Sequence, residues 1–131
     1  MAGEPNLQEA VPNLQPQLHP QPYVFVQVVD SSPIPRSVVW GEIKEKEGIT
    51  LILQQHQADY YSLNYNFVAA RITLGAETAL EMVGLTAKVA CALAEQHISC
   101  NVIAAFSHDH IFVPLNQGKA AHSIISELSS A

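Results

Sequence analysis

The stretch Val83-Gly84-Leu85-Thr86-Ala87-Lys88-Val89-Ala90-Cys91-Ala92-Leu93-Ala94-Glu95-Gln96-His97-Ile98-Ser99-Cys100 decides the fold. It belongs to a helical segment read over 78–97. Thr78-Ala79-Leu80-Glu81 has the spacing of a capping box, in which hydroxyl and carboxylate each satisfy an orphan amide of the first turn. Apolar residues at Leu80, Val83, Ala87, Ala90 and Ala94 recur near the helical period. Gly84 interrupts them, and inside a regular helix glycine costs about 1 kcal/mol relative to alanine. Two readings stay open at Gly84: one continuous helix, or a break with the main helix from Leu85 onward. The small residues Gly84, Ala87, Ala90, Cys91 and Ala94 let this helix approach a sheet closely. From Ile98 the period changes to two, with Ile98, Cys100, Val102 and Ala104 on one face of a strand that runs to Phe106.

On the C-terminal side, Ser107-His108-Asp109 reads as a tight connection and 110–115 as the returning strand. Pro114 near its end predicts an edge position, because proline cannot donate to a ladder. A last helix starts at Asn116 or Gln117, with Ala121, Ile124, Ile125 and Leu128 facing inward. On the N-terminal side, 67–74 is a strand stopped by Gly75, and 57–63 a short helix followed by a loop at Asn64 and Asn66. Residues 49–54 form a strand that pairs as a hairpin, across Gly48, with a more exposed strand over 38–47. Residues 23–29, rich in β-branched and aromatic types, form a buried strand, ended by the turn chemistry of Asp30-Ser31-Ser32-Pro33-Ile34-Pro35. The order is β-β-β-α, then β-α-β-β-α, with antiparallel sheets and helices on one face. The second part is a split βαβ of the ferredoxin-like kind, so the fold class is α+β. It lacks a final strand, which the first half must supply or take from it.

Five of the eight prolines, Pro5, Pro12, Pro16, Pro20 and Pro22, fall in 1–22 among glutamines and asparagines. Each removes a backbone donor and restricts its predecessor, so 1–22 reads as an extended arm outside the core, and as a disordered tail before any other role. This leaves 23–66 and 67–131 as the two folded halves. The 131 residues carry 12 Asp and Glu against 6 Lys and Arg, a net charge of −6, which argues against nucleic acid or an anionic membrane as partner. Hydrophobic residues are 48% and charged ones only 14%, a surface that predicts cover by another subunit, most simply in a homodimer. No apolar run approaches the ~18 residues of a membrane span, and no basic segment followed by an apolar one marks a secretory signal. Cys91 and Cys100 are too few for a disulfide framework, so the expected setting is cytoplasmic.

His108 and His110 stand at i and i+2, a spacing at which two imidazoles on a strand can meet one ion. A turn held by Asp109 bonding local backbone is the commoner use of such a span, and a zinc site needs a third ligand that the neighbourhood does not offer. Cys91 reads as a packing residue on the helix face and Cys100 as an inward strand residue, with no basic neighbour that would lower a thiol pKa. Arg71 reads as an outward, solvated strand residue, with a ligand carboxylate as its alternative partner. Trp40 is a core or interface aromatic. No dinucleotide or P-loop glycine pattern, nucleophile elbow or H-E-x-x-H occurs, so no catalytic residue, metal or cofactor is assigned.

The run from Val83 to Cys100 looks like the ACT-domain signature, in which a Gly-apolar turn opens a helix that ends in Leu-Ala-Glu-x-x-Ile. His108-Asp109-His110-Ile111-Phe112-Val113-Pro114 resembles the matching hairpin. Glu45-Lys46-Glu47-Gly48-Ile49-Thr50-Leu51-Ile52-Leu53 with Ala58-Asp59 resembles the N-terminal half of small bacterial two-ACT proteins. Those are related to the ACT modules of CASTOR arginine sensors and aspartokinases. The resemblance spans about 22–129. It implies two ACT-like halves and a regulatory, non-catalytic protein whose ligand is an amino acid or similar metabolite. Carried over, the ligand contacts are Gly75, Ala76, Glu77 and Thr78 after the strand, Val83, Gly84 and Leu85 at the helix start, and Ala105, Phe106, Ser107 and Asp109 at the hairpin. Helix-start amides can receive a carboxylate, and Asp109 can accept from an amino or guanidinium group. Two other classes stand beside this reading: an interaction module without a small ligand, and a metal-dependent enzyme using His108 and His110.

Overall fold

The computed structural model describes residues 14–75 and 84–130. In chain order the elements are β1 (Pro16–Leu18), β2 (Tyr23–Val28), β3 (Val39–Lys44), β4 (Ile49–Gln54), α1 (Gln55–Tyr60), β5 (Val68–Leu74), α2 (Leu85–Glu95), β6 (Asn101–Ala104), β7 (Asp109–Pro114) and α3 (Gly118–Ser130). Single 3-10 turns at Arg36–Val38 and Leu115–Gln117 lead into β3 and α3. The chain divides into two compact units, one over Pro20–Ala69 and the other over Ala70–Ala131 together with Met1–His19.

In the first unit β4 lies between β3 and β2, both antiparallel to it. β2 also pairs with the first residues of β5, Tyr23 opposite Ala69 and Val24 opposite Val68. Alternation along β2 and β4 sends Val24, Val26, Leu51 and Leu53 into one core with Ile34 and Ala58 of the flanking segments. β3 is half-exposed at the edge, as its mixed sequence suggests, and its register shifts between Val39 and Gly41. The Asp30 carboxylate accepts from the Ser32 N–H and hydroxyl, each at 3.0 Å, which fixes the turn after β2. α1 starts two residues earlier than its sequence suggests, directly off β4, with the Gln55 N–H donating to the Pro22 carbonyl.

In the second unit β7 lies between β5 and β6, and β1 pairs antiparallel with β5, Gln17 opposite Thr73. The order β1-β5-β7-β6, with α2 following β5 and α3 following β7, is that of a split βαβ sheet. The strand absent from the C-terminal half is thus supplied from ahead of the N-terminal half. This corrects the extended-arm reading for residues 14–18. Pro16–Leu18 is a strand, and Leu14 is 0% exposed in a core with Ile72, Leu74, Leu85, Val89 and Leu93. Prolines can flank such a strand because only one of its edges must donate. Residues 1–13 lie outside those described.

β7 also differs from its sequence reading. It is interior rather than an edge strand, because Pro114 is its last residue and the chain turns there into Leu115–Gln117. Ile111 and Val113 of β7, Ala70 and Ile72 of β5, Val89 and Leu93 of α2, and Ala121 and Ile125 of α3 form one core. Both helices therefore pack on the same face of this unit's sheet. β6 is shorter than the strand read over 98–106. Ile98 and Cys100 still face the core, but Ile98 caps α2 before the strand begins.

Candidate functional site

α2 begins at Leu85, and Gly84 is its N-cap in the left-handed conformation at φ 88°. Of the two readings at Gly84, the break is the observed one: a residue with a side chain is strained at this φ, and glycine is not. Leu85 follows as the first buried residue of the helix. Gly75 ends β5, and its N–H donates to the Gln15 carbonyl at 2.9 Å. A Cβ at Gly75 would lie 2.9 Å from that same oxygen, so the segment before β1 closes over it. Ala76, Glu77, Thr78 and Val83, with the capping box, lie outside the described residues.

At the hairpin, β6 and β7 pair from Asn101 opposite Phe112 to Ala104 opposite Asp109, leaving Ala105, Phe106, Ser107 and His108 as the turn. The Ala105 N–H donates to the His108 carbonyl at 3.0 Å. Asp109 therefore belongs to the strand, not to the connection. It is 8% exposed, and burial pushes its carboxyl above the usual carboxylate range. Phe106 is 91% exposed, and Ser107 is half-buried.

The two histidines of the metal reading do not gather a third ligand. Among the described residues no group of three or more His, Cys, Asp or Glu side chains is placed to hold a metal ion. His110 instead bonds through Nδ1 to the Thr73 hydroxyl at 3.0 Å, and Thr73 in turn bonds His19 Nε2 at 2.7 Å. Arg71 Nη2 lies 3.0 Å from Nε2 and 3.3 Å from Nδ1 of His19. No atom can be that near both ring nitrogens along either lone pair, so the guanidinium rests against the imidazole face. This corrects the reading of Arg71 as a solvated strand residue. Burial lowers the His110 pKa to about 4, helped by the charges of Arg71, His108 and His19. His19 is lowered by burial and then by Arg71. Sequence reasoning passed over His19 and Thr73. The signal was period two: His19 follows β1 in register with Arg71, and Thr73 is two residues beyond it.

Of the thiols, Cys91 is exposed on α2, not packed, and burial raises the pKa of the half-buried Cys100. A cleft of about 320 Å³ lies in the first unit instead, lined by Tyr23, Trp40, Ser37, Gln54 and Gln57. Tyr23 and Trp40 meet edge to face there, at 6.3 Å and 73°. None of the residues expected from sequence lines it.

The molecule is similar to several of known structure. A Vibrio cholerae protein of unknown function, described as a possible transport protein, is 36% identical over 89% of this chain and 91% of its own, at a TM-score of 0.80. An Agrobacterium tumefaciens protein is 14% identical over 91% of each chain, at 0.71. The ligand-free regulatory subunit of aspartate kinase from Thermus thermophilus is 9% identical over 86% of this chain and 95% of its own, at 0.63. The last two likenesses show the fold alone. No curated protein matches the sequence. Two family models, both described as ACT domain, match residues 2–70 and 69–127. The chain belongs to the ACT-domain family.

Proposed function

We propose that this protein is a non-catalytic regulator that binds an amino acid or a similar small metabolite at the loop and helix start of its C-terminal ACT domain. It acts there as a cytoplasmic homodimer. The observation that carries the reading is the left-handed Gly84 at the head of α2. A helix leaves the N–H groups of its first turn without intrahelical acceptors, and its dipole favours negative charge there. A glycine at the N-cap adds no Cβ to obstruct a carboxylate approaching them. Asp109, buried at the start of β7, is the candidate acceptor for the ligand's ammonium group. Membership of a family whose domains typically bind small regulatory ligands supports the reading.

A panel of the amino acids in thermal denaturation tests it. A ligand at 100 times its Kd stabilises by about 2.7 kcal/mol. The expected result is a raised midpoint with one compound or a chemically related few, diminished in Asp109→Ala. A flat panel removes the reading.

A second reading has its own observation. Phe106 presents its ring to solvent at 91% exposure on the tip of the β6–β7 turn. An aromatic in that position suits a protein-binding anchor. On this reading a partner co-purifies without any metabolite, and Phe106→Ser releases it.

A further inference from the structure

The first unit's cleft of about 320 Å³ lies where β4 passes into α1. Its volume is at the lower end of the range for small-molecule sites, about 300–1,000 Å³. Tyr23 and Gln54 stand opposite each other in the β2–β4 ladder, so their side chains leave one face of the sheet, away from Val24 and Leu53 in the core. The register of β3 passes from Val39 opposite Leu53 to Gly41 opposite Ile52, which makes Trp40 the extra residue of a bulge. A bulge re-aims the side chain it carries, and here the indole meets the buried Tyr23 ring at the cleft wall. Gln57 enters from α1, whose start is fixed to the head of β2 by the Gln55 N–H donating to the Pro22 carbonyl at 2.9 Å. Ser37 enters from the 3-10 turn before β3, closed by the Val38 N–H donating to the Pro35 carbonyl at 3.1 Å. The lining is thus held by fixed elements.

The neighbouring glutamine shows what is different about these amides. Gln55 spends its side chain inside the protein, donating to the Tyr65 hydroxyl at 3.0 Å, which in turn donates to the Asp59 carboxylate at 2.8 Å. The amides of Gln54 and Gln57 and the hydroxyl of Ser37 have no such partner among the described residues. No charged side chain among the described residues lines the cleft, so an ion entering it gives up hydration without gaining a counter-charge. A carboxamide sets a donor beside an acceptor, the pattern that pairs with the lactam or amidine edge of a nitrogen heterocycle. The half-buried indole, braced by Tyr23, supplies a flat surface on which such a heterocycle stacks.

We propose that this cleft is a second binding site, for a small uncharged planar nitrogen heterocycle of the purine or pyrimidine base class. Trp40 stacks on the ring, Gln54 and Gln57 read its donor and acceptor edge, and Tyr23 acts through Trp40 as a positioning residue. The site lies wholly within the first unit, shares no residue with the amino-acid reading and does not depend on it.

Trp40 is the chain's single tryptophan, so its fluorescence reports on this cleft directly. Adenine, hypoxanthine, cytosine and uracil are titrated separately into the full chain, with excitation at the red edge of indole absorption, where the bases are transparent. Benzoate serves as a planar anion of similar size. The expected result is saturable quenching by at least one base, with benzoate about tenfold weaker or more. Gln54→Met or Gln57→Met, which keep the side-chain length and remove the amide, weaken that binding about fivefold to tenfold, the scale of a hydrogen bond. Asp109→Ala leaves the quenching intact even if it abolishes amino-acid binding. Quenching that stays linear in concentration for all four bases, or benzoate binding as tight as theirs, overturns the proposal on the wild-type chain, whether or not the variants fold. So does saturation that neither glutamine substitution weakens.

Discussion

Gly118 faces Ala70 so closely that a Cβ built on it would lie 2.8 Å from the Ala70 Cβ. The first residue of α3 is thereby pressed onto β5, with Leu18 of β1 3.3 Å from the same point. The Leu18 methyl can shift, but Ala70 cannot: its Cβ is fixed to the backbone of a buried strand. Gly118→Ala should therefore destabilise the protein by about 1–3 kcal/mol, the usual cost of overpacking, despite alanine's better helix propensity. Chemical denaturation, with the midpoint falling at an unchanged slope, checks it.

The C-terminus of α2 offers the opposite change. His97 adopts the left-handed conformation at φ 59°, its N–H donates to the Ala94 carbonyl at 2.9 Å, and the Ile98 N–H donates to the Leu93 carbonyl at 3.0 Å. This is the Schellman arrangement, completed by the apolar contact of Ile98 with Leu93 in one core. Glycine is the residue this position favours, and a left-handed non-glycine costs about 1–2 kcal/mol. His97→Gly should stabilise by roughly 0.5–1 kcal/mol after its greater unfolded-state entropy is deducted. A thermal midpoint unchanged or lowered would refute the assignment.

Leu14 is 0% exposed, although it lies in a proline-rich segment. Leu14→Ala should cost about 2–5 kcal/mol, the range for a fully buried leucine. A loss under about 0.5 kcal/mol, the range of surface substitutions, would return the segment to the status of a free arm.

Gly84→Ala places a methyl group at φ 88°, and a destabilisation of about 1 kcal/mol is expected from backbone strain alone. If the helix start receives a ligand, the same variant also lowers affinity, and calorimetric titration separates the two effects.

The pH dependence has a definite sign. His110 has a folded pKa near 4 against an ordinary value of 6.5, so between these limits the unfolded chain binds the extra proton. Stability therefore rises with pH across that window, and the contribution is lost as pH falls from 6.5 towards 4. Asp109 works in the reverse direction, since its raised pKa favours the protonated fold as pH drops below the folded value. Wild type should lose more stability than His110→Gln between pH 7 and pH 4.5 in urea melts. Equal losses would place the acid sensitivity elsewhere.

The order of elements after β1 was legible because those strands show β-branched runs or period two and the helices a longer period. Both halves of the ferredoxin-like reading hold, as do the inward faces of α3 and the exposed character of β3. Pairing partners were not legible. Nothing local to Pro16-Gln17-Leu18 says that its ladder partner lies at Ile72–Leu74, and the prolines argue for the opposite. The placement of Pro114 failed for a related reason: a proline that ends a strand is compatible with an interior position, and only the spatial order distinguishes the two. The Arg71–His19–Thr73–His110 chain needs three separate strands in register before any of its contacts exists, so no motif records it.

The pairing of β1 with β5 makes the second unit discontinuous in sequence, with the first unit threaded between its two pieces. A single cut near residue 69 would not yield two independent halves. The C-terminal fragment would leave behind Leu14 and its outermost strand, exposing the unpaired edge of β5 from Ile72 to Leu74 to other chains. During synthesis the residues of β1 are made first yet wait for more than fifty others before their partner is available, so the inserted unit can mature while its host is still open. Domains joined in this way cannot easily be shuffled apart by recombination at the point where the sequence divides most plainly.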